Sequence, residues 1–368
     1  MPRQTTLDDL QQIKKTDRSN MLSFCIEAPK HYRKAAELAK NVTVDFKRPR
    51  AIIVAGMGGS AIGGELLRDW AFDRIEVPIE ICREYSLPAY ADETTLVFVS
   101  SYSGETEETL SALLDALKRK CMIVCTSSGG KLAEFAQKLN LLYVGAPSGM
   151  APRATLPYMF MPMPIILQKM GLTSEVENEA FDTVKVLKQI SAENSPEIKT
   201  GNNFSKSLAA NIKGTVPTIY GFGIYRAVAQ RFKTQFNENS KNPAKWEYFP
   251  ELNHNEIVGW EAAEKFAKWF SVIFIRDAEE PVEIRQRIET TKEIMSKKRL
   301  RLFEVQSRGR SSLAKMASVI CIGDFASVYL AVLRGIDPTP VETISLLKQK
   351  LEQTGVKEKT IRELQKFK

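Results

Sequence analysis

Histidine is nearly missing from this chain: two, His31 and His254, stand in 368 residues. That scarcity argues against a metal centre built on imidazoles, so the chemistry has to run on other groups. Cysteine is scarce as well. Five is an odd count, and Cys121 and Cys125 fall two strand periods apart in an apparent strand, with neither disulfide nor zinc spacing. They read as small buried residues in a reducing compartment. No apolar run reaches the ~18–20 residues that a bilayer requires. The longest candidate, 158–167, is short and broken by Pro162 and Pro164. The opening MPRQTTLDDLQQIKK is polar and carries acidic residues where a signal peptide would be apolar. A cytoplasmic setting without a membrane partner is the expectation.

Internal repeats of solenoid length are absent too. Lysine and arginine total 52 against 44 acidic residues, a net charge of +8. A basic balance suits nucleic acid, a membrane surface or anionic metabolites. The basic residues are scattered, however. The one dense run, Lys297-Lys298-Arg299-Leu300-Arg301, has no interleaved stacking aromatics, so nucleic acid is not an expected partner.

What is present is ordinary globular material, 43% hydrophobic and 26% charged. The length exceeds what one compact core usually holds, which suggests two domains. The first 45 residues look helical, with an apolar helical spacing over 30–40. From Arg50 the pattern becomes strand, glycine turn, helix. Strands are predicted at 51–54, 79–82, 95–99, 122–125 and 141–144, with helices after the first, third and fourth. Apolar strands alternating with helices indicate a doubly wound parallel sheet. Residues 146–170, rich in proline and methionine, look like a crossing segment, and a polar helix is predicted over 175–187. The pattern restarts at Pro217, with a strand, Gly221-Phe222-Gly223, and a helix over 224–235. Further strands are predicted at 271–275, 301–305 and 319–322. The expected organisation is α/β: an N-terminal helical segment 1–49, a first lobe 50–170, and a second lobe 171–368 with a C-terminal helix.

The glycine loop Gly56-Met57-Gly58-Gly59-Ser60-Ala61 satisfies the dinucleotide pattern G-x-G-x-x-G/A, in which glycines let the backbone approach a pyrophosphate. It fits a plain strand-to-helix turn equally well. The ribose test is ambiguous, because Glu84 follows the second strand and Arg83 precedes it. The third strand's loop tilts the balance. Ser101, Ser103 and Thr106 cluster hydroxyls where a helix opens, a setting suited to a phosphate monoester. A capping box is the plainer account of the same residues. Elsewhere, Arg153 stands between Pro152 and Pro157, Glu238 closes a helix among amides, and His254 lies between Asn253 and Asn255, which could fix its tautomer. Lys348 sits at helical spacing near the C-terminus. Alone, each is commonly a surface charge.

Together the segments are more specific. Gly56-Met57-Gly58-Gly59-Ser60, Ser101-Tyr102-Ser103-Gly104-Glu105-Thr106, Pro152-Arg153, Asn237-Glu238-Asn239 and Asn253-His254-Asn255-Glu256 resemble the sugar isomerase (SIS) domain proteins, most closely the bifunctional phosphoglucose/phosphomannose isomerases. The resemblance covers about residues 50 to 350. It implies two SIS-type lobes in a homodimer, acting without metal or cofactor on glucose 6-phosphate, fructose 6-phosphate and mannose 6-phosphate. It assigns the phosphate to Ser101, Ser103 and Thr106, and the reacting end to Gly58, Gly59 and Ser60. Arg153 would steady an enediolate, Glu238 would be the base, and His254 would open the sugar ring from the neighbouring subunit. Lys348 would reach in from the C-terminal helix. Glu105 departs from the asparagine expected in the phosphate loop, and a carboxylate there should point away.

The chemistry agrees with this inventory. Ring opening needs a proton relay, for which an imidazole is suited. A positioned carboxylate can then carry the proton between C2 and C1, a device worth ~10²–10⁴-fold. Glucose and mannose phosphates lose their C2 difference in one shared enediolate. Three rivals remain open: a non-catalytic SIS regulator, a glucosamine-phosphate-type isomerase lobe, and a dinucleotide enzyme.

Overall fold

The computed structural model describes residues 6–367. After short N-terminal helices, β1 (Ala51–Ala55) leads into α1 (Gly58–Ala71), then β2 (Ile79–Cys82), β3 (Thr95–Ser100), α2 (Glu107–Lys118), β4 (Met122–Ser127), α3 (Gly130–Lys138) and β5 (Leu142–Gly145). Past a helical crossing segment come β6 (Val216–Phe222), α4 (Arg226–Ser240), β7 (Lys245–Phe249), β8 (Phe270–Arg276), α5 (Val282–Ser296) and β9 (Arg301–Gln306). The chain then forms α6 (Ser312–Leu333), α7 (Glu342–Glu352) and α8 (Val356–Gln365).

Two compact units result, each built on its own parallel sheet. One comprises Lys30–Ala180 with the segment from Val341 onward; the other joins the residues up to Pro29 to Phe181–Pro340. In the first, the strand order is β2-β1-β3-β4-β5. Its inner strands β1 and β3 are buried at every position, while the edges β2 and β5 are half-exposed. That contrast follows from the sequence: an unbroken AIIVA suits a strand covered on both faces, and IEIC an edge. Ile53, Val97, Val99, Ile123 and Cys125 form the core under Leu110, Leu113, Leu132 and Phe135. The chain winds away in opposite directions from β1 and β3, so the crevice beyond their carboxyl ends is the switch point, where ligands bind in such sheets.

The second sheet runs β7-β6-β8-β9, again all parallel. Its inner strands are buried and its edges are not. Two sequence expectations fail here. Residues 319–322, expected as a strand, lie inside α6. A short apolar run does not distinguish a buried strand from a helix buried all round, and this helix is continuous from its Ser311 cap, whose hydroxyl accepts from the Ala314 amide at 3.3 Å. The same helix corrects the expectation that no segment is long and apolar enough to span a membrane. It has 22 residues and a mean hydropathy of 1.9 in its most apolar window, yet 89% of that window is buried within the protein. It is a core helix.

The N-terminal segment read as 1–49 divides between the units. Asp17 holds the turn between the early helices by accepting from the amides of Met21 (2.7 Å) and Leu22 (2.9 Å), and the bond that Ser191 donates to the Cys25 carbonyl at 3.1 Å ties those helices to the second unit. The C-terminal helix, expected with the second lobe, packs on α2 of the first: Leu364 is fully buried, and Ser111 and Thr360 share a hydrogen bond of 3.2 Å. All five cysteines are buried and unpaired. Burial pushes the Cys125 thiol up to about 12, so it is held neutral and unreactive.

Candidate active site

The glycine loop and the hydroxyl loop sit side by side at the switch point of the first sheet. Strand β1 ends at Ala55 and β3 at Ser100, paired in parallel. Gly56 lies so near the Ser100 carbonyl that a Cβ on it would come within 2.8 Å. The Tyr102 amide donates to Ser60 Oγ at 3.3 Å, which binds one loop to the other. Ser60 and Ser101 are buried, whereas Ser103 is exposed.

The hydroxyls do not act as a capping box. Thr106 holds the N-cap position of α2 but makes no side-chain cap bond. Its Oγ1 pairs instead with Ser101 Oγ at 2.8 Å. Ser103 Oγ accepts from the Glu105 amide at 3.2 Å. Ser101 and Thr106 thus present a linked hydroxyl pair beside a 12-residue helix whose first amides have no capping side chain. Such an end attracts an anion through its free N–H groups and its dipole.

Glu105 points elsewhere. Its Oε1 accepts from the Lys131 amide at 2.9 Å, in the first turn of α3, and Lys357 lies 2.6 Å from its Oε2. The carboxylate does for α3 what a capping residue would do. The loop is also locked by backbone against backbone. Leu132 donates to the Gly104 carbonyl at 3.0 Å, and a Cβ on Gly104, whose φ is +68°, would meet the Gly129 carbonyl oxygen. Gly104→Ala is therefore expected to lower the thermal midpoint by about 4–10 °C, combining left-handed strain with a clash. Gly149→Ala, at φ +83° in open space, should lower it by less. Equal losses in the two variants, measured by calorimetry, would contradict this account of the loop.

The third segment is Pro152-Arg153. A Cβ on Gly59 would stand 3.2 Å from the Pro152 carbonyl oxygen and 3.6 Å from Arg153 Cα. Arg153 is 2% exposed, which sets it apart from a surface arginine. The clamp on this segment is Tyr102, to which the sequence reading gave no role. Its hydroxyl donates to the Pro147 carbonyl at 3.0 Å and accepts from the Met150 amide at 2.9 Å. The structure therefore gathers 58–60, 101–106 and 152–153 in one unit. Arg83, weighed above as a ribose partner, is committed to Glu65 at 2.8 Å.

Glu238 and His254 belong to the other unit. Glu238 is half-buried in the last turn of α4. That helix is held against α6 by a polar seam: Arg231 Nη2 lies 3.2 Å from Asp324 Oδ1, and Asn239 donates to Ser327 Oγ at 2.9 Å. Burial pushes the Asp324 carboxyl up, and the Arg231 guanidinium opposes the shift. Gln235 also hydrogen-bonds the Asp324 carboxyl, and residues 231, 235 and 239 recur every four positions, so the seam fixes the rotation of α4 about its axis.

His254 is exposed, in the short 3-10 turn Glu251–His254 that follows β7. The expectation that its flanking asparagines set its tautomer fails, because both amides are engaged elsewhere. Asn253 donates to Thr291 Oγ1 at 2.9 Å and accepts from Arg287 at 3.3 Å. Asn255 donates to Glu251 at 2.6 Å and accepts from the Glu256 amide at 2.5 Å. They shape the turn and leave the ring open. Lys348 is exposed on α7, a helix with no buried residue. Among the described residues no group of three histidine, cysteine or acidic side chains could hold a metal ion.

Comparison with known proteins follows the same lines. Residues 201–351 match the family model described as the bacterial phospho-glucose isomerase C-terminal SIS domain. A bifunctional phosphoglucose/phosphomannose isomerase of Caldicellulosiruptor bescii is 41% identical over 336 residues, 90% of this chain and 99% of the relative. One from Aquifex aeolicus is 32% identical, over 85% of this chain and 94% of its own. Among solved structures, a hypothetical protein from Thermus thermophilus superposes with a TM-score of 0.73 at 14% identity, covering 93% of this chain and 94% of that one. At that identity the likeness speaks for the fold alone. Near-complete coverage at 41% identity goes further: the chain belongs to the bifunctional phosphoglucose/phosphomannose isomerase family.

Proposed function

We propose that this protein is an aldose–ketose isomerase interconverting glucose 6-phosphate and mannose 6-phosphate with fructose 6-phosphate through a cis-enediolate. Identity over nearly the whole length of a relative bearing that name carries the reading. The loop geometry supports it independently, since Ser101, Thr106 and the uncapped end of α2 suit a phosphate. Ser103 completes that set with its exposed hydroxyl. Gly58, Gly59 and Ser60 line the reacting end beside Arg153, whose guanidinium stabilises the charge developing on the enediolate oxygens, an effect worth a few kcal/mol per fixed donor. Glu238 moves the proton between C2 and C1. His254 opens the ring. Its exposure on one chain is in keeping with service to the substrate of a second chain, so the working form is a homodimer with shared sites. Lys348 contributes a cation from α7. The two parallel-sheet lobes are SIS domains, and the protein works in the cytoplasm, with neither a nucleic acid nor a membrane as partner.

No step in this scheme calls for a metal, because the enediolate charge is met by arginine and amides. The test is a coupled assay that follows glucose 6-phosphate formed from fructose 6-phosphate, and fructose 6-phosphate formed from mannose 6-phosphate. Both reactions should proceed, and exhaustive treatment with EDTA should leave the rates unchanged. Loss of activity in EDTA, restored by zinc, would overturn the metal-free chemistry. Absence of the mannose reaction would restrict the substrate to one epimer.

A further inference from the structure

A carboxylate inside a loop that receives a phosphate is an electrostatic contradiction, and Glu105 is such a group. We propose that Lys357, on the C-terminal helix, is a positioning residue of the phosphate loop. It supplies the counter-charge that makes Glu105 compatible with a bound sugar phosphate. The proposal rests on the assignment of the phosphate to the loop of Ser101, Ser103 and Thr106.

Glu105 has two jobs, one that needs an accepting oxygen and one that needs its charge. Oε1 caps α3 through the Lys131 amide at 2.9 Å, and Oε2 meets Lys357 Nζ at 2.6 Å. The Lys131 ammonium pairs with Glu134 at 2.7 Å and reaches Glu105 only as a more distant charge, which leaves Lys357 as its direct partner. Lys357 stands in the first turn of α8, where a cation opposes the helix dipole. Its placement there makes sense through its partner. Lys357 does not hold α8 in place by itself. Leu364 is fully buried, Thr360 bonds Ser111 at 3.2 Å, and Lys138 donates to the Gln365 carbonyl at 2.9 Å. The two side chains of the pair are 21% and 41% exposed, so it adds little to stability. A phosphate dianion beside the loop nevertheless meets a neutral pair where it would otherwise meet a free carboxylate.

The experiment measures the Kd for fructose 6-phosphate by calorimetry on the full-length protein, at low and at high ionic strength, so that no step depends on turnover. Lys357→Met keeps the apolar stem and removes the charge. At low salt it should weaken binding about threefold to tenfold, and the difference should shrink at high salt as the repulsion is screened. Adding Glu105→Gln to that variant should bring the Kd back to within about twofold of normal, since it removes the charge left uncompensated. A purely structural role predicts the reverse, a double variant at least as weak as the single one. That result, or an unchanged Kd in Lys357→Met at low salt, would overturn the proposal. Thr106→Val separates the two layers. If it weakens binding while Lys357→Met does not, the phosphate loop stands and the counter-charge falls. If neither variant affects binding, both fall.

Discussion

Glu238→Gln is expected to lower turnover of fructose 6-phosphate by about two to four orders of magnitude, while sugar-phosphate binding stays within a few-fold of normal. Glutamine keeps the size of the side chain and its hydrogen-bonding reach, and removes only the basic oxygen. The helix should tolerate the change. The contacts that fix α4 against α6 run through Arg231, Asn239, Asp324 and Ser327, and none of them is altered. A base that moves the proton between C2 and C1 also exchanges some of it with solvent, so incorporation of solvent deuterium at C2 should fall in parallel. A loss confined to the transition state lowers kcat and kcat/KM together. If the variant still exchanges the C2 hydrogen at a normal rate, Glu238 is not the base and the proton carrier lies elsewhere.

Chains carrying Glu238→Gln and chains carrying His254→Ala, each nearly inactive alone, should regain about one quarter of normal activity when co-expressed. In a two-fold dimer whose sites combine Glu238 of one chain with His254 of the other, a mixed dimer concentrates both lesions in one site and leaves the second intact. Random pairing makes about half the dimers mixed, and about half of their sites work. His254 is exposed, with its neighbouring asparagines turned to Thr291, Arg287 and Glu251, so the ring is available to a neighbouring chain. If both residues serve the same chain's substrate, every site carries a lesion and nothing returns. No recovery from a folded, verified mixed dimer would end the shared-site account and leave the isomerase reading intact.

The central strands and the loops that follow them could be read from the chain because their signals are local. An unbroken apolar run ending in glycines or serines before a helix leaves little room for another arrangement, and β1 and β3 fall close to where the pattern puts them. The edge strand β7 carries no such signal. Its sequence, KWEYF, alternates charge with aromatics, and it is half-exposed on the sheet's rim. Residues 319–322 look like a strand because the core helix around them is apolar on all sides, which erases the periodicity that separates helix from strand. The allegiance of the two chain ends was equally hidden. Nothing near Leu364 indicates that it packs against α2, and nothing near Cys25 indicates that it meets Ser191 of the second unit. At the site, residue types with obvious chemistry stood out, whereas their supports did not. Tyr102 clamps the segment before Arg153, and Lys357 neutralises Glu105, both through contacts between distant parts of the chain.

The most direct test of the isomerase assignment is to incubate the protein with fructose 6-phosphate in D2O and follow the sugar phosphates by NMR. The account predicts that glucose 6-phosphate and mannose 6-phosphate both accumulate, with deuterium at C2 in a measurable fraction of each, because both arise when the base returns a proton to one enediolate. Fructose 6-phosphate that binds the folded protein yet remains unchanged and unlabelled after prolonged incubation would contradict it, and would make the chain a sugar-phosphate binder without catalysis.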